Sequence, residues 1–195
     1  MSTLVVRPAQ KAECDLIAKL YEMSSGGVAN YIWSTLQDQF PGMSLLDVGQ
    51  RRYERENTEF SYQNCMMAED RGEVLGMLHS YPVETRSDPI QADDSVDPVL
   101  RPYMELEASG TLYISGLAIW PNFRGQGIGS RLLQAGRDRA KSLELSELSL
   151  LCFAGNRRAR RLYERQGFVV VDWRPVVPHK LIEHTGDVLL MLAPV

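Results

Sequence analysis

The chain has 195 residues and a mass of 22.0 kDa, a length that suits one domain. Hydrophobic residues make up 44% and charged residues 24%, which excludes a disordered tail or a collagen-like fibre. The 21 Lys and Arg against 25 Asp and Glu leave a net charge of −4, which disfavours a mainly nucleic-acid-binding protein.

Leu4 to Arg7 is a short β-rich run stopped by Pro8 and reads as the first strand. Ala12 to Met23 places Leu16, Ile17, Leu20 and Tyr21 on one helix face, and Ser24-Ser25-Gly26-Gly27 ends it. Val28 to Phe40 repeats the pattern up to Pro41-Gly42. Ser44 caps a third helix running to about Arg55, with Asp47 in its first turn. Ser61–Ala68 and Glu73–Val83 read as a hairpin around Glu69-Asp70-Arg71-Gly72. Glu84 to Gly110 is acidic and weakly periodic, a long loop with a short helix near Val99–Glu107. Thr111 to Trp120 is an apolar strand in which Gly116 is a place for a bulge. A helix starts at about Gly129, Leu148–Phe153 is a strand, and Asn156 caps a helix from Arg157 to Gln166. Phe168–Trp173 and Asp187–Leu192 close the chain as strands. The expected fold is mixed, α+β, in one domain over residues 1–195.

Cys14, Cys65 and Cys152 are odd in number and far apart, which fits a reducing cytosol rather than a disulfide framework. His79, His179 and His184 lack metal-ligand spacing, so no metal is expected. The N-terminus lacks the basic start and long apolar run of a signal peptide. Ala108 to Phe123, the longest uncharged stretch, falls short of the ~20 apolar residues of a membrane helix. A cytoplasmic protein with no membrane partner is expected.

Arg124-Gly125-Gln126-Gly127-Ile128-Gly129-Ser130 sits between a strand and a helix. Glycines let the backbone come close to a ligand, and a helix N-terminus presents unpaired N–H groups. Together they form a phosphate cradle, with Arg124 and Arg131 adding positive charge. The dinucleotide fingerprint fails, because no glycine follows at the required spacing. The P-loop fails too, because no lysine follows.

Arg-x-x-Gly-x-Gly resembles the acyl-CoA pyrophosphate motif of the GNAT superfamily of N-acetyltransferases. Leu117-Ala118-Ile119-Trp120-Pro121 is similar to that family's preceding strand, and Asn156 to Phe168 is similar to its Asn-x-x-Ala-x-x-x-Tyr-x-x-x-Gly-Phe signature. The resemblance spans about Thr111 to Phe168. It implies a central, mostly antiparallel sheet of about seven strands, splayed between two parallel strands and flanked by four to five helices. It also implies acetyl-CoA as cosubstrate. Leu117, Ala118 and Ile119 would hold the pantetheine arm, Gly125, Gln126, Gly127, Ile128, Gly129 and Ser130 the pyrophosphate, and Asn156 the arm near the next helix. Tyr163 would protonate the leaving thiolate of an acetyl group moved to a primary amine in a ternary complex.

The stretch Leu112 to Ile119 contains no Asp or Glu, so the base must come from elsewhere. Glu105 and Glu107 lead, and His79 and Tyr81 follow. Cys152 has no base partner and reads as inert. The alternative is an acyl-CoA-binding sensor of the same fold without turnover. A nucleic-acid surface built from Arg157, Arg158, Arg160, Arg161 and Arg165 is the weaker third reading, and a homodimer is compatible with the resemblance. From Trp120 to Arg165 there are 10 basic and 4 acidic residues, and elsewhere 11 and 21. The basic segment suits an anionic cosubstrate. Asp88, Asp93, Asp94, Asp97, Glu105 and Glu107 suit a cationic amine.

Overall fold

The structure, a computed structural model, describes residues 4–84 and 96–195. Seven strands form one sheet in the order β1-β2-β3-β4-β5-β7-β6. They are β1 (Val5–Pro8), β2 (Cys65–Asp70), β3 (Glu73–Pro82), β4 (Leu112–Ile119), β5 (Glu147–Phe153), β6 (Val169–Pro175) and β7 (Asp187–Pro194). β4 and β5 are parallel, while β1–β2, β2–β3, β5–β7 and β6–β7 are antiparallel. The described residues hold six α-helices: α1 (Cys14–Ser24), α2 (Val28–Leu36), α3 (Leu45–Tyr53), α4 (Arg101–Glu105), α5 (Ile128–Ser142) and α6 (Arg157–Arg165). The fold is the expected mixed one, with α4 as the short helix inside the acidic loop. Asp88, Asp93 and Asp94 lie outside the described residues.

Two compact units emerge from the contacts. The first takes the chain up to Ser80 together with Gly116–Ala135, and the second takes Tyr81–Ser115 and Gly136–Val195.

In the first unit α1, α2 and α3 enclose a core of Ile17, Leu20, Trp33, Val48, Tyr53, Met67 and Met77. Ser44 builds the cap of α3. Its hydroxyl accepts from the Asp47 N–H at 3.2 Å, and the Asp47 carboxylate accepts from the Ser44 N–H at 3.1 Å. That arrangement satisfies two donors the helix start would otherwise leave bare. The hairpin turns at Arg71 and Gly72, whose φ values of 51° and 81° match the left-handed pair a two-residue turn requires. β2 begins at Cys65, later than the sequence pattern places it. Ser61 instead caps a 3-10 turn over Tyr62–Asn64, and the Asn64 amide donates to the carbonyls of Thr58 and Glu59.

In the second unit β5 and β7 pair over seven rungs, from Glu147↔Pro194 to Phe153↔Val188. β7 is buried almost throughout from Val188 to Ala193, as its unbroken apolar run requires. The parallel ladder of β4 with β5 runs from Leu112↔Leu148 to Ile114↔Leu150, while β4 itself continues to Ile119 and β5 to Phe153. Thr111 and Ser149 are both buried and satisfy each other, hydroxyl to hydroxyl, at 2.6 Å.

Candidate functional site

The glycine turn lies wholly in the first unit. β4 ends at Ile119, Pro121–Phe123 forms a 3-10 turn, and α5 starts at Ile128. Gly125 and Gly127 have φ values of 81° and 82°, conformations that an L side chain adopts only with strain. No heavy atom lies within 4 Å of where a Cβ would stand on either one. The glycines are therefore there for backbone conformation, and their outer side is open. The Arg131 N–H donates to the Gly127 carbonyl at 3.2 Å, which closes the first turn of α5. The amides of Ile128 and Gly129 consequently belong to the first turn, where an α-helix has no acceptor of its own. Such a turn suits an anion, and the residues present fit a pyrophosphate.

Both arginines expected to add charge are engaged with the protein. Arg124 turns back, with Nε donating to the Ile119 carbonyl at 3.0 Å and Nη2 approaching the Met23 sulfur at 3.6 Å. Arg131 donates to the Leu4 carbonyl at 2.7 Å. Arg124 thus ties the end of β4 and the last turn of α1 to the start of the cradle. The link to Met23 spans 101 residues, so no local pattern reveals it. Gly116 has a packing role: a Cβ there would stand 2.8 Å from the Tyr21 ring. Leu117 and Ile119 are half-buried and Ala118 is buried.

Asn156 and Tyr163 lie in the second unit. The Asn156 side-chain Oδ1 accepts from the Ala159 N–H at 3.2 Å, so the residue caps α6. Tyr163 is buried on that helix, edge-on to Phe168 with ring centres 5.8 Å apart. Burial, with a smaller contribution from Cys152, pushes its phenol well above the ordinary range. The hydroxyl therefore keeps its proton at neutral pH. Burial likewise pushes the Cys152 thiol up to about 12, which leaves it protonated and a poor nucleophile.

The base candidates divide between the units. Glu105 ends α4, and its carboxylate accepts from Arg174 Nε at 3.0 Å. Glu107 is half-buried beyond that helix, and its N–H donates to the Met104 carbonyl. Tyr81 is buried edge-on to Tyr113 at 5.5 Å. In the first unit His79 is buried beside Tyr21, Tyr53 and Phe60, with Nε2 3.0 Å from the Glu59 carbonyl. Among the described residues no group of three or more His, Cys, Asp or Glu is arranged to hold a metal ion, and no helix is long and apolar enough to cross a membrane.

The sheet pairs β4 and β5 in parallel, and a glycine turn opens the helix that follows β4. The model of the acetyltransferase (GNAT) family matches residues 29–168, and the chain belongs to that family. That family uses acetyl-CoA. The chain is 33% identical over 79 residues to a mycothiol acetyltransferase of Propionibacterium freudenreichii subsp. shermanii. The match spans 38% of this chain and 25% of that relative's length. Its fold is similar to that of a mosquito arylalkylamine N-acetyltransferase like 5b, with TM-score 0.67, 17% identity, and coverage of 99% of this chain and 100% of that one. It is also similar to an N-acetyltransferase from Staphylococcus aureus Mu50, with TM-score 0.66, 20% identity, and coverage of 97% and 100%.

Proposed function

We propose that the protein is an N-acetyltransferase that moves an acetyl group from acetyl-CoA to a primary amine by direct attack in a ternary complex. The observation that carries this reading is the left-handed pair Gly125 and Gly127, open on the outer side, at the start of α5. Family membership supplies the cosubstrate. When bound, acetyl-CoA provides the acetyl thioester. The main-chain N–H groups from Gly125 to Ser130 bind its pyrophosphate, and Leu117, Ala118, Ile119 and Asn156 orient the arm. Tyr163 holds a proton at its phenolic oxygen for the departing sulfur. An ammonium of pKa ~10 must lose a proton before it attacks. Glu105 and Glu107 are the candidates for that role, and the Glu105 carboxylate also accepts from Arg174. We place the protein in the cytoplasm, with a cationic amine as the preferred acceptor.

The test follows thiol release from acetyl-CoA against a panel of amines, including polyamines, arylalkylamines, peptide N-termini and acidic amines. Acetyl transfer is supported by amine-dependent release, with cationic members ahead. Tight CoA binding without release for any amine would instead support a sensor, a reading favoured by the lack of a carboxylate on β4.

A further inference from the structure

β6 ends the strand order, and among the described residues β7 is its one strand neighbour. Its large apolar side chains stand in solvent: Val169 is 61% exposed, Val170 43%, Val171 50% and Trp173 56%. An exposed apolar edge of this kind is a template for another strand.

The backbone of this edge is closed at Trp173, however. The Val176 N–H donates to the Gly186 carbonyl at 2.8 Å, and Arg174 faces Val188. Bonded and non-bonded pairs alternate along an antiparallel ladder, so Trp173 and Pro175 direct their main-chain groups away from β7. Pro175 has no N–H to offer. The Trp173 N–H donates instead to Asp172 Oδ1 at 2.8 Å, and the Trp173 carbonyl accepts from Arg174 Nη1 at 2.7 Å. Asp172 and Arg174 also bind each other at 2.8 Å, and Arg174 Nε reaches Glu105 at 3.0 Å. A register shift between Val170 and Asp172 interrupts the ladder just before this point.

We propose that Asp172 and Arg174 form a latch on a self-pairing edge, and that they keep β6 from adding to β6 of a second copy of the chain. The edge fits its own copy. Rotating it about a two-fold axis at Trp173 brings the N–H of each Trp173 to the carbonyl of the other, an antiparallel bonded pair. The same rotation sets Asp172 of each copy opposite Arg174 of the other, so both charges find partners when they leave the backbone. A strand bearing one sign of charge matches only one of them. The exposed valines and Trp173 supply the apolar surface that association would cover.

Sedimentation velocity on the full chain over a wide concentration range tests the latch. Wild type should show no association through this edge. Asp172→Ala combined with Arg174→Ala should lower the dimer dissociation constant by about tenfold or more. Adding Trp173→Lys, which sets like charges opposite each other at the axis, should return the double variant to monomer. Asp172→Ala alone leaves the Arg174–Glu105 pair in place and should show the same shift at smaller size, so the test stands if the double variant unfolds. A folded single or double variant that sediments as wild type does overturns the proposal. So does a dimer that survives Trp173→Lys, or a wild-type dimer held through β6.

Discussion

The proton-donor role proposed for Tyr163 works against its surroundings, because burial makes the phenol a weaker acid than a free one. Burial among the inner residues of α6 keeps the phenol neutral far above working pH. Tyr163→Phe preserves the ring contact with Phe168 and removes only the proton. Its kcat should fall by about 10²-fold or more, with KM for acetyl-CoA nearly unchanged. Equal loss in both, or no loss, removes Tyr163 as the acid. Arg124 acts on the cradle from behind, through the Ile119 carbonyl. Arg124→Gln keeps a donor without the charge and should bind CoA nearly as wild type does. Arg124→Leu leaves that carbonyl unpaired and should lose about tenfold, in line with a lost charged hydrogen bond. A guanidinium bound directly to phosphate predicts equal loss in both variants. Burial also makes Cys152 a reporter of pH. The folded protein holds this proton up to about 12, while an unfolded thiol releases it near ~8.5. Its contribution to stability is therefore whole below pH ~8.5 and fades as pH rises toward the folded value. Thermal midpoints should fall between pH 8 and pH ~11, less steeply in Cys152→Val, and parallel slopes contradict this.

At the scale of elements, local chemistry explains most of what was legible. The Ser44–Asp47 cap, the Arg71–Gly72 turn and the Asn156 cap are short-range devices, and the sequence announces each of them. Ser44→Ala should cost about 1 kcal/mol of stability, measured by denaturant unfolding, because it exposes an orphan N–H of α3. No change would mean that water satisfies it equally well. The misread boundaries have the same origin at longer reach. The chain from Ser61 to Asn64 directly precedes the apolar run of β2, but side-chain bonds to Thr58 and Glu59 fold it into a 3-10 turn. At Gly116 the Tyr21 ring packs against the strand, a contact not visible from β4 alone. The brace from Arg124 to Met23 was hidden for the same reason.

At the scale of the molecule, the uneven charge gains structural detail. Arg124, Arg131 and Arg137 of the basic segment donate to carbonyls of Ile119, Leu4 and Gln166, so they serve the fold directly. Arg157, Arg158, Arg161 and Arg165 on α6 remain exposed, and Arg160 pairs with Glu164 at 3.1 Å. A glycine turn supported by such a segment, in a chain of the acetyltransferase family, makes the pyrophosphate cradle the central claim. Calorimetric titration of CoA into wild type and Gly127→Asp tests it most directly. The variant forces a side chain onto a left-handed residue and sets a carboxylate beside the phosphates. Wild type should bind, and a folded Gly127→Asp should lose about 100-fold or more in affinity, roughly 3 kcal/mol. A folded variant that binds CoA as wild type does would contradict the cradle.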